Sequence, residues 1–127
     1  MPDQRMITVD TRDHGPVTIP EPAWCAGVHP AGGFRVDITH ASGEMPLTFG
    51  TECCGPVPVL TVVFESRPYT DRPPGRGVFV NVGFDSDWHP LDPAGLEALA
   101  DQLTVHAGRL QGAARRLAVL VEEESDQ

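Results

Sequence analysis

The sequence contains no lysine. All nine basic residues are arginines, set against 18 acidic residues for a formal net charge of −9. Nucleic-acid binding rests on clustered Lys and Arg displacing counterions from phosphates, so this balance disfavours a nucleic-acid partner. It equally disfavours an anionic membrane surface. One related role stays open, that of an acidic decoy occupying a basic protein. Long hydrophobic runs are missing too: the longest, Val57 to Phe64, includes Pro58 and Thr61 and falls well short of the ~20 residues a spanning helix needs. The opening Met1-Pro2-Asp3-Gln4-Arg5 lacks the basic-then-apolar layout of a secretory leader, and the expectation is a cytoplasmic protein. The three cysteines, Cys25, Cys53 and Cys54, form an odd set with no disulfide-framework spacing. In a reducing compartment they read as thiols or metal ligands. No internal repeat, Gly-rich phosphate loop or paired inward carboxylates are visible.

Glycine and proline, by contrast, are plentiful at 13 each in 127 residues. Their excess over average usage predicts many turns and short strands. One domain of ordinary size is expected, α+β in class: an antiparallel sheet of short strands and hairpins over about residues 6–90, one long helix over about 92–121, and an acidic tail at 122–127. Met6–Val9 and Val17–Ile19 flank Asp13-His14-Gly15-Pro16, which predicts a hairpin. Phe34 to His40 alternates, predicting a strand with Phe34, Val36, Ile38 and His40 on its inner face. Met45–Phe49 is a further short strand. Val59–Glu65 reads as a central strand, and Gly77–Phe84 as a half-buried one with Val78, Val80, Val82 and Phe84 inward. Asp85 to His89 reads as a connecting loop, with Trp88 closing the core. The prolines between Arg67 and Arg76 exclude regular structure, and the three arginines of that loop are a weak anion grip.

Asp92-Pro93 is a helix start, an N-cap followed by proline at the first helical position. Leu96, Leu103, Leu110 and Leu117 then recur at strict seven-residue spacing, with Leu99, His106, Ala113 and Leu120 on the adjoining row. A helix from Pro93 to Val121 would run roughly 45 Å, against a diameter of about 35–40 Å for a globule of this length. It must overhang the sheet or break at Gly108 or Gly112, each of which costs about 1 kcal/mol relative to alanine. Heptad spacing favours a partner helix, so Leu96, Leu99, Leu103, Leu110 and Leu117 are the expected interface of a homodimer or of a contact with a partner protein. A helix that merely covers the sheet is the competing expectation.

The densest chemistry lies in Pro22-Ala23-Trp24-Cys25-Ala26-Gly27-Val28-His29, with His40 beyond it. Gly27 lets the proline-stiffened loop curl, so the Cys25 thiolate and the His29 imidazole can converge with an inward His40. Three such ligands suit tetrahedral zinc, with Cys53 or Cys54 as the fourth. No Cys-x-x-Cys pair is present, so the spacing is not that of a standard finger.

Thr11 to Thr18 with its Asp13-His14-Gly15-Pro16-Val17-Thr18 core, Glu21-Pro22-Ala23-Trp24-Cys25, His29, Asp37-Ile38-Thr39-His40, Pro46-Leu47-Thr48-Phe49 and the closing Leu91-Asp92-Pro93-Ala94-Gly95-Leu96 resemble a family of small actinobacterial proteins. That family, common in Streptomyces-like genomes and their phages, is known only as a domain of unknown function. Such proteins carry extra histidines just after the Trp-Cys pair, where this chain has Pro30-Ala31-Gly32-Gly33. The resemblance implies no activity, but it singles out Cys25, His29 and His40. The expectation is a non-catalytic interaction or regulatory module, zinc-stabilised and self-associating through its C-terminal helix. The alternative is a small thiol- or metal-dependent enzyme using Cys25 or Cys54.

Overall fold

The computed structural model describes residues 4–126. Met1–Asp3, which open the segment read for a leader, and Gln127, the end of the acidic tail, lie outside them. The class is α+β, in two compact units: a β-rich part up to Asp92 and a helix from Pro93.

β1 (Met6–Thr11) and β2 (Gly15–Pro20) pair antiparallel, as the turn signal predicts. Thr11 closes the turn. Its hydroxyl donates to the Gly15 carbonyl at 2.8 Å and accepts from the His14 N–H at 3.0 Å, while Gly15 takes a φ of +61°, which suits glycine. The hairpin of β4 (Met45–Thr51) and β5 (Gly55–Ser66) repeats this chemistry. There Thr51 donates to the Gly55 carbonyl at 2.9 Å and accepts from the Cys54 N–H at 3.2 Å. Both turns read Thr-x-x-x-Gly-Pro-Val, a local pattern too short to register as a repeat.

β5 is the central strand of a five-stranded antiparallel sheet. β3 (His40–Ala41) and β4 share one of its edges, β6 (Phe79–Phe84) takes the other, and β7 (Asp87–Leu91) follows β6. β6 is not half-buried as its alternation predicts: Phe79 to Val82 are all buried, Val82 completely. The second face is covered by polar neighbours. The Arg67 guanidinium lies over the Phe79 ring at 5.6 Å, and Asn81 Nδ2 donates to Glu65 Oε1 at 3.3 Å. The expected loop at 85–89 is a hairpin instead. Asp85 and Ser86 adopt φ of 54° and 66°, the two left-handed positions of the hairpin turn that matches strand twist. Trp88 pairs with Gly83 across it and lies where a Cβ on Gly83 would come within 2.8 Å of the indole. At 50% exposure it does not close the core.

The predicted strand over 34–40 is replaced by a 3₁₀ turn at Arg35–Asp37, with regular pairing only from His40. Backbone bonds win over the alternating pattern. Asp13 Oδ1 accepts from the Arg35 N–H at 2.9 Å, and Gly32 and Gly33 pair with the edge of β1. Of the predicted inner face, Ile38 and His40 are buried while Phe34 and Val36 are exposed. Ile38 joins Val9 and Ile19 in the cluster beneath β1–β2, with Ile7, Val17 and Tyr69 against it.

α1 (Pro93–Ser125) begins where predicted and runs unbroken for 33 residues, about 50 Å. It passes through Gly108 and Gly112, and through Glu122–Glu124, which the charge pattern marks for fraying. None of its residues is buried. Among the described residues no helix is long and apolar enough to cross a membrane.

Candidate metal centre

Glu21 follows β2 with the inward parity of Ile19, because the hairpin ladder extends one step further: the Glu21 N–H donates to the Arg5 carbonyl at 2.6 Å. Pro20 and Pro22 fix the backbone on either side of it. The chain then turns, the Cys25 N–H bonding the Pro22 carbonyl at 3.0 Å, and the loop is tied to β3 by the Ala26 N–H on the Ala41 carbonyl at 2.8 Å. Gly27, at φ +84°, bends the loop so that its N–H reaches Cys25 Sγ at 3.4 Å and His29 returns toward the cysteine. His40 enters from the first residue of β3.

The result is a compact four-residue cluster. Glu21 Oε1 lies 2.8 Å from His40 Nδ1, both Glu21 oxygens lie 3.0 Å from His29 Nε2, and Cys25 Sγ lies 3.6 Å from His29 Nε2. One ligand atom from each of Glu21, Cys25, His29 and His40 falls within 4.8 Å of every other. The side chains of Glu21, His29 and His40 are 5%, 9% and 5% exposed. Trp24 walls the cluster edge-on to His40, its ring centroid 6.4 Å away, and the two imidazoles meet edge to face at 5.3 Å.

Burial alone would push the Glu21 carboxyl up, but hydrogen bonds from Cys25, His29 and His40 together outweigh it and hold the group below its ordinary value. Cys25 moves the other way. Burial raises its thiol, and its bond to Glu21 raises it further. Without a cation, then, Cys25 is a protonated donor rather than a nucleophilic thiolate. The four ligands together could hold a metal ion. Their mutual spacings run from 2.8 Å up to a limit of 4.8 Å, with 3.0 and 3.6 Å among them.

The structure thus brings together Cys25, His29 and His40. Cys53 and Cys54 stand apart from them, exposed on the β4–β5 turn. The fourth member is Glu21, to which the sequence pattern alone assigns no role. What sets it apart in the sequence is only its position, a carboxylate between two prolines four residues before Cys25. In the Arg67–Arg76 loop, Arg67 is paired with Glu65 at 3.2 Å and Arg76 Nε bonds the Thr70 carbonyl at 2.9 Å.

A family profile matches residues 6–119, a span holding the whole cluster and most of α1. The chain belongs to the DUF6907 family. The family is described only as a domain of unknown function. Neither curated proteins nor solved structures gave a match. One further feature adjoins the cluster: a cavity of about 550 Å³ with His29 in its wall, beside Val28, Phe34, Ile38 and Thr39.

Proposed function

We propose that this DUF6907 chain is a zinc-stabilised, non-catalytic interaction module. The observation that carries the reading is the convergence of one carboxylate, one thiol and two imidazoles within 4.8 Å. Four protein ligands close the coordination sphere, which is the pattern of a structural zinc, whereas catalytic zinc keeps a position open for water or substrate. The placement also suits a staple. Glu21 extends β2, Cys25 and His29 lie on the loop, and His40 opens β3, so one ion would join three segments beside a small apolar cluster to which the loop contributes no residue. Binding energy in such a site is folding energy.

Elemental analysis of the purified chain tests this. One zinc per chain is expected, lost in Cys25→Ser and in His40→Ala, with a thiolate charge-transfer band on cobalt substitution. A folded protein that stays metal-free in zinc-supplemented medium would overturn the reading and leave Glu21 as a carboxylate shared by two histidines.

The cavity against His29 favours a second reading, a small metal-dependent enzyme that gives up one of the four ligands to open the metal. In that case Glu21→Gln would retain the metal and alter turnover of a ligand bound in the cavity. The structural reading expects Glu21→Gln to weaken the metal itself.

A further inference from the structure

The helix geometry points to self-association of two copies of the chain through antiparallel α1 helices, crossing a two-fold axis at the level of Gly108. This goes beyond the metal reading and does not depend on it. α1 keeps Leu103, Leu110, Leu117 and Leu120 between 41% and 61% exposed, on two rows whose strict seven-residue period is that of a helix meeting another helix. In an antiparallel pair, a residue of one row faces a residue of the other row on the partner.

Only one register engages the whole length. It sets Leu96 against the partner's Leu120 and Leu99 against the partner's Leu117, each contact occurring twice about the axis. Between them, Leu103 meets the partner's Ala113 and Leu110 meets the partner's His106, a large residue against a smaller one at each inner level. The flanking row on one side is Ala100, Ala107 and Ala114, so Ala107 meets its own copy and the backbones can approach closely. Sliding by one heptad in either direction strands a pair of leucines at each end. The slide that overlaps the C-terminal halves also sets Arg109 against the partner's Arg116.

The seam levels choose the orientation. A parallel pair would set His106 against its own copy and Ala113 against its own copy. The antiparallel register puts a leucine against each of them, with Arg109 facing its own copy once at the axis. It also answers the acidic end. Glu122–Glu124 oppose their own helix dipole, but here Glu123 comes beside the first turn of the partner's helix, near Gly95, where the dipole favours negative charge. Such exposed charges contribute orientation more than affinity.

Sedimentation of the full chain at tens of micromolar is the first test, and twice the chain mass is expected. Leu110→Glu and Ala107→Arg, the second in a helix-favouring residue, should each give a monomer whose β-rich part melts as in the parent. Orientation is read by spin labels in a Cys53→Ser/Cys54→Ser background. Labels at Glu97→Cys should lie about 33 Å apart along the axis, the 1.5 Å rise applied to both arms about Gly108, and labels at Gln111→Cys much closer. A monomer, a dimer indifferent to both variants, or Glu97→Cys labels within about 20 Å, as parallel helices would place them, would each overturn the proposal.

Discussion

At the scale of single residues the decisive group is Glu21. Its carboxylate sits 2.8–3.0 Å from two imidazoles, and its burial is tolerated because three donors converge on it. Removing one partner of a buried charge costs far more than the pair itself contributes. With a bound cation, Glu21→Gln keeps the shape but replaces an anionic ligand by a neutral amide. We expect it to weaken zinc at least tenfold, measured by competition with a chromophoric chelator, while Cys53→Ser and Cys54→Ser leave affinity unchanged. Cys25 and His29 were legible because they share one short loop that Gly27 lets curl, and His40 because the alternation of 34–40 turns it inward. Glu21 was not, because in an acidic chain one more carboxylate carries little information. The two exposed cysteines drew attention by residue type alone.

At the scale of elements, turns decide what strand patterns leave open. The Thr11 and Thr51 hydroxyls close their hairpins by the same pair of bonds, and the β1–β2 hairpin could be read in advance because Gly15 supplies the positive φ. The β6–β7 turn could not. It places Asp85 and Ser86 at positive φ, where sequence rules look for Asn-Gly. A side chain in that region costs about 1–2 kcal/mol, so Ser86→Gly should raise the unfolding free energy of the β-rich part by about 1 kcal/mol in urea titration. The 34–40 segment failed for a related reason. Its alternation is real, but an Asp13 oxygen on the Arg35 N–H and the Gly32–Gly33 contact with β1 satisfy the backbone locally, and a 3₁₀ turn results. α1 was readable from its cap and its leucine rows. Its last turn was not, since Glu122–Glu124 disfavour a helix end that the chain nonetheless forms.

At the scale of the whole molecule, the α+β class and the order of hairpins before helix follow from where glycine and proline lie: they concentrate ahead of Pro93 and thin out after it. The separation into a β-rich part and a helix gives the chain two different needs. The β-rich part buries Val63, Phe79, Val80 and Val82 in the five-stranded sheet, but the β1–β2 end has only a small apolar cluster around Val9, Ile19 and Ile38, and there a metal staple would supply what the apolar cluster does not. The helix has two leucine rows and no buried residue. The central claim concerns the first of these needs, and thermal unfolding of the β-rich part before and after chelation tests it most directly. An ion bound at a thousand times its dissociation constant contributes about 4 kcal/mol. Stripping it should therefore lower the melting midpoint by roughly 15 °C or more, with recovery at one equivalent of zinc and none in Cys25→Ser. A midpoint that chelator and zinc leave unmoved would contradict the account.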